Sequence, residues 1–119
     1  MNGGDHHSHD ARRRIGEANR AINFQRIADA SLNASDELVS RWLPDGRRQG
    51  AEWVATNPRR VDKRRGSFKV NLRTGRWSDF AVGASGGDLI SLAAYLFDMK
   101  QGRAAVELAN ALGINAYDE

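Results

Sequence analysis

Eight cations stand between Arg59 and Arg76, namely Arg59, Arg60, Lys63, Arg64, Arg65, Lys69, Arg73 and Arg76, with one acid, Asp62, among them. That is a local charge of +7 over 18 residues in a chain whose total is only +3. The chemistry such a run offers is neutralisation of a polyanion, nucleic acid being the commonest. Arginine outnumbers lysine here, and its planar fork suits bidentate phosphate contact and stacking on bases. Trp53, Phe68 and Trp77 lie near these cations. An exposed aromatic beside cations is the usual device for holding single strands, through base stacking. Each of the three is more often a core residue than a stacking platform, and a charge run by itself is usually a solvated loop.

Other chemistries find little support. The histidines, His6, His7 and His9, all sit in the polar opening "MNGGDHHSHD", and there is no cysteine. The commonest general base and the best nucleophile are therefore missing from the part expected to fold. Asp45, Asp62, Asp79 and Asp88 show no spacing that implies shared work, so no catalytic residue and no enzyme are expected. Thiolate metal ligation is impossible, no metal or cofactor is expected, and "HHSH" reads as a solvated tail. "GASGGD" puts glycines ahead of an apolar helix and would turn backbone N–H groups toward an anion, but it lacks the Gly-Lys-Ser/Thr of a phosphate loop. Asp88 reads more simply as a helix N-cap.

The elements that must position the cations follow from periodicity. Residues 1–14 read as a disordered tail, and a helix is predicted over 15–32 from Ile15, Ala18, Ile22, Ile27, Ala28 and Leu32. Its Phe24 fits either a core position or an anchor for a partner. A second helix, capped by Ser35 or Asp36, runs through "ELVSRWL" to the turn "PDG" at 44–46. A strand is predicted around 51–55, with Arg47 and Arg48 in the turn before it. "SFKVNL" puts Phe68, Val70 and Leu72 on one face and Lys69 and Asn71 on the other. "RTG" turns the chain, with Gly75 left-handed, and "RWSDF" returns with Trp77 and Phe80 against the core. "VGASGGD" reads as a loop. Two helices follow, one opened by Gly87 or Asp88 and the other over 101–112 with Gly113 at its C′ position. The order α, α, β, β, β, α, α predicts an α+β fold with a small antiparallel sheet packed between N-terminal and C-terminal helices. The organisation expected is a tail (1–14), a helical segment (15–46), an α+β domain (47–114) and a short tail (115–119).

"GSFKVNLRTGRWSDFAVGASGGDLISLAAYL", followed by "AAVELANALGI", resembles the N-terminal zinc-ribbon domain of bacterial and phage-type DNA primases. The resemblance covers residues 53 to 114. Gly66 to Val70 match a "P-S-F-x-V" strand, Trp77 to Gly83 the strand and "C-x-x-C-G" turn, Gly86 to Leu92 the helix start, and Leu108-Ala109 the closing helix. The positions of the zinc ligands carry Asp79 and Val82 for the second pair and fall near Asn57 and Asp62 for the first. Valine cannot bind zinc and asparagine binds it poorly. The resemblance therefore implies a ribbon without metal, held by apolar packing and by Asp or Asn hydrogen bonds. It also implies contact with single-stranded template DNA beside a primase or helicase, as in plasmids, phages and other mobile elements.

The expected function is a nucleic-acid-binding module for single-stranded DNA, accessory to a primase or helicase in replication of a mobile element. Its contacts would be Arg59, Arg60, Lys63, Arg64, Arg65, Lys69, Arg73 and Arg76, with Trp53 or Trp77 stacking on bases. Two alternatives use the same basic face: a protein-interaction module, and a small inhibitor docking on a replication or defence protein. No apolar stretch approaches the roughly 20 residues of a membrane span, and the start lacks a secretory apolar core. The cytoplasm is the expected compartment, with no membrane partner.

Overall fold

A computed structural model describes residues 20–60 and 66–118. The predicted tail at 1–14, the start of the first helix and the basic stretch 61–65 lie outside the described residues. Four helices and five strands follow in the order α1 (Phe24–Asn33), α2 (Ser35–Trp42), β1 (Arg47–Gln49), β2 (Glu52–Ala55), β3 (Phe68–Asn71), β4 (Trp77–Asp79), β5 (Ala84–Gly86), α3 (Leu89–Phe97) and α4 (Gln101–Leu112). The strands form one antiparallel meander, β1-β2-β3-β4-β5, with two helices before it in the chain and two after. No described helix is long and apolar enough to cross a membrane.

Two of the five strands differ from expectation. β1 lies where a turn is expected, because Arg47-Arg48-Gln49 has no apolar alternation, and all three residues are exposed at the sheet edge. β5 lies where a loop is expected, because Ala84-Ser85-Gly86 carries no strand former. Both are made by pairing with a neighbour, which a one-dimensional pattern does not contain.

The first helix begins later than its periodicity suggests. Asn23 caps it, accepting from the Arg26 N–H at 2.9 Å. Ile22 instead bridges to Tyr117, and the Asn23 N–H donates to the Ala116 carbonyl at 2.8 Å. The chain around 115–118 is thereby tied to the body, with Ala116 buried. Ser35 does not cap α2: its hydroxyl donates to the Leu72 carbonyl at 2.7 Å, fastening the helix to the end of β3. Asp88 does cap α3, in a capping box with Ser91, and Gly113 ends α4 at φ 71°.

Register assigns the faces of the sheet. Opposite residues share a face, so Trp53, Val70, Trp77 and Gly86 form one row and Ala55, Phe68, Asp79 and Ala84 the next. This face meets the helices in a single core with Ile27, Leu38, Val39, Leu43, Leu89, Ile90, Leu92 and Leu108. Each large apolar side chain so buried stabilises by about 1.5–3 kcal/mol. Phe68 stacks on Trp77 with ring centroids 5.8 Å apart, and Tyr95 of α3 closes over Trp77 at 4.9 Å. Gly86 is required beside them, because an added Cβ would overlap Ser91 Oγ and the Trp77 indole. Gly86→Ala should therefore cost about 1–3 kcal/mol, read as a lower denaturant midpoint with an unchanged slope.

Candidate nucleic-acid interface

Two tight turns at one end of the sheet organise the site. One runs Asn57-Pro58-Arg59-Arg60, the other Asp79-Phe80-Ala81-Val82-Gly83. In each, the first side chain accepts from the N–H two residues on: Arg59 N–H to Asn57 Oδ1 at 2.9 Å, and Ala81 N–H to Asp79 Oδ1 at 3.0 Å. In each, the first carbonyl accepts from the N–H three residues on, Arg60 to Asn57 at 3.1 Å and Val82 to Asp79 at 3.2 Å. The two turns are then joined directly. Asn57 Nδ2 donates to Asp79 Oδ2 at 2.9 Å and to the Tyr95 hydroxyl at 2.8 Å.

Asn57 and Asp79 are both fully buried. Burial would by itself raise the pKa of Asp79. Hydrogen bonds from Asn57, the Ala81 N–H and Ser67, with the nearby Arg60 charge, outweigh it and hold the carboxyl below its ordinary value. Arg60 Nη1 lies 3.7 Å from Asp79 Oδ2 and donates to Ser67 Oγ at 3.0 Å, with its side chain only 13% exposed. No buried side-chain polar atom among the described residues is left without a partner.

A zinc ion does not fit this arrangement. The oxygens of Asn57 and Asp79 are committed to hydrogen bonds, and Arg60 stands three residues after Asn57 as Val82 stands three after Asp79. A guanidinium therefore faces the carboxylate, while Val82 is exposed and offers no donor. The sequence placed Asp62 near the first pair; it lies outside the described residues, and Arg60 takes the charge-balancing position. A cation and a hydrogen-bonded pair hold these two turns together.

The structure separates the cations that the sequence ran together. Arg60 is consumed by the joint between the turns. Arg59 donates to the Tyr95 carbonyl at 2.9 Å, lies 5.2 Å over the Tyr95 ring and approaches Asp98 at 3.8 Å, with 40% of its side chain exposed. Lys63, Arg64 and Arg65 lie outside the described residues. Arg73 lines a groove with Asp36, Glu37 and Arg48 on the helical side. Lys69 and Arg76 come together on the face turned from the core, where they line a polar groove with Asn71, Thr74, Ser78 and Ser85, and with Glu52 as its acid. The row Arg47, Val54, Lys69, Ser78, Ser85 crosses that face, adding Arg47 at its edge.

The aromatic assignments are corrected. Trp77 is 5% exposed and buried against Phe68 and Tyr95, leaving no face for a base. Trp53 is half-buried on the core side, and its indole N–H donates to the Leu43 carbonyl at 2.9 Å. Phe80, expected in the core, is 71% exposed. With Trp77 and Asp79 facing inward, β4 ends at Asp79, and the turn carries Phe80 outward. The missed groove residues Ser78 and Ser85 had no sequence signal, since only strand pairing sets them beside Lys69.

An antiparallel meander whose turns are clasped end to end, with two helices before it and two after, defines an α+β protein. Comparison with solved structures agrees on the fold. The chain is similar to the primase of Aquifex aeolicus, in a crystal structure of its zinc-binding and RNA polymerase domains, at a TM-score of 0.67 and 21% identity. The match covers 80% of this chain and 22% of the primase chain, so this protein spans about a fifth of that length. No family model and no curated protein matches the sequence.

Proposed function

We propose that this protein is a nucleic-acid-binding module that takes single-stranded DNA along the polar face of its sheet, as an accessory to a primase or helicase in replication of a plasmid, phage or other mobile element. The observation that carries the reading is the groove of Lys69 and Arg76 with Asn71, Thr74, Ser78 and Ser85. Two cations for phosphates and four short hydrogen-bonding side chains suit a flexible sugar–phosphate backbone, without the fixed geometry a duplex would require. Arg47 extends the charge along the same row. The likeness in fold to a primase supports the setting, and the absence of any paired catalytic groups in the sequence supports binding rather than chemistry.

Salt dependence tests it. On a single strand each neutralised phosphate contributes about −0.7 to the slope of log K against log salt. Lys69→Ala/Arg76→Ala should therefore weaken binding to a labelled single strand and make the slope shallower by about 1.4. Fluorescence anisotropy over a salt series reads both quantities. An unchanged slope in the double variant, or no binding by wild type at low salt, would remove the polar face from the account.

A further inference from the structure

The turn that Asp79 stiffens carries an apolar tip. Phe80, Ala81, Val82 and Gly83 are exposed in succession, Phe80 at 71% and Val82 at 52%. A run of this kind on a surface signals a partner. Nor is it a loose loop. The Val82 and Gly83 N–H groups donate to the Asp79 carbonyl at 3.2 and 2.9 Å, and Asp79 is itself locked to Asn57. Phe80 is thus held out in water by the same bonds that close the fold.

Its position gives it a use. Phe80 follows Ser78 by two residues on leaving β4, and Gly83 precedes Ser85 by two on entering β5, so the tip stands just beyond the row that carries Lys69, where β4 turns into β5. A strand lying in the polar groove and leaving it at this end passes the Phe80 ring. Trp77 also lines the groove but is only 5% exposed, and Phe68 is buried, so among the described residues Phe80 is the ring this end of the sheet leaves open to a base. Size also decides the occupant. A stable protein interface buries roughly 1,200–2,000 Å² in all, far more than two side chains provide, whereas one base needs one ring.

On the reading that the polar face binds a single strand, we propose that Phe80 is the stacking residue of that interface, seating one unpaired base. Phe80→Ala should lower affinity for a labelled single-stranded oligonucleotide roughly 5- to 150-fold. The salt slope should stay unchanged, because no phosphate contact is lost. Phe80→Trp should bind as wild type, with its indole emission quenched as the strand is added. The melting temperature of Phe80→Ala should match wild type, since an exposed ring supports no core. Wild-type affinity in Phe80→Ala would overturn the stacking role and leave the polar-face reading standing. A shallower slope, or a lower melting temperature accounting for the loss, would overturn it too. Failure of wild type to bind any strand would overturn the function itself, and this inference with it.

Discussion

Asp79→Ala should lose about 3–5 kcal/mol of folding stability, the cost of removing one partner from a buried ion pair. A domain of this kind has only about 5–15 kcal/mol in all, so the variant should melt far below wild type or fail to fold. The carboxylate is the joint on which both turns depend. Without it Asn57 Nδ2 loses one of its two acceptors, the Ala81 N–H loses Oδ1, and Arg60 loses the carboxylate 3.7 Å from its Nη1. Asp79→Asn should cost less, about 1–3 kcal/mol, because the shape remains while one acceptor becomes a donor. Circular dichroism melting of both variants, checked by chemical denaturation, reads the difference. Equal stability of Asp79→Ala and wild type would show that packing alone holds the turns.

The same carboxyl sets an acid limit. Its pKa is lowered in the fold, so the unfolded state binds its proton first as pH falls. Its stabilising contribution is therefore fully present above the unfolded value, near pH 4, and is lost as pH drops through the folded value. Stability should be flat with respect to this group from neutrality to about pH 4 and decline below it. In Asp79→Asn that part of the decline should be missing, which acid titration followed by circular dichroism will show.

Trp77→Ala should cost about 3–5 kcal/mol, the range for truncating a buried aromatic. Its ring packs between Phe68 and Tyr95, its indole N–H donates to Ser91 Oγ at 2.9 Å, and Gly86 lies against its edge. The deletion opens a cavity that strand and helix cannot both close, and it strips Ser91 of a donor where that residue also forms the α3 cap. The loss should appear in melting and denaturation. Where the variant is still folded, at low temperature, affinity for single strands should match wild type, since the ring is buried and offers no face to a base. A large loss of binding in a fully folded Trp77→Ala would restore the stacking role that burial denies it.

Local rules carried much of the fold. Phe68, Val70 and Leu72 declared a half-buried strand because alternation needs no distant partner, and Asp88, Gly75 and Gly113 declared a cap, a turn and a helix end through backbone chemistry confined to a few residues. The charge run declared a basic centre in the same way. The two edge strands did not announce themselves. Arg47 to Gln49 and Ala84 to Gly86 become strands only through the hydrogen bonds of β2 and β4, and composition does not encode those bonds.

For the site the division is sharper. Sequence by itself determined that there is no thiolate ligand and that positive charge concentrates between residues 59 and 76. Tertiary structure alone decided what those residues do. It brought Asn57 and Asp79, 22 positions apart, to 2.9 Å, and it turned Arg60 inward to balance a buried carboxylate. It sent Arg73 to the helical side while setting Lys69 and Arg76 in one groove. It also exchanged the aromatics, burying Trp77 and exposing Phe80. The reason is common to all of these: a side chain's type fixes what it can bond, but the strand's register and the point where it stops fix which way that side chain faces.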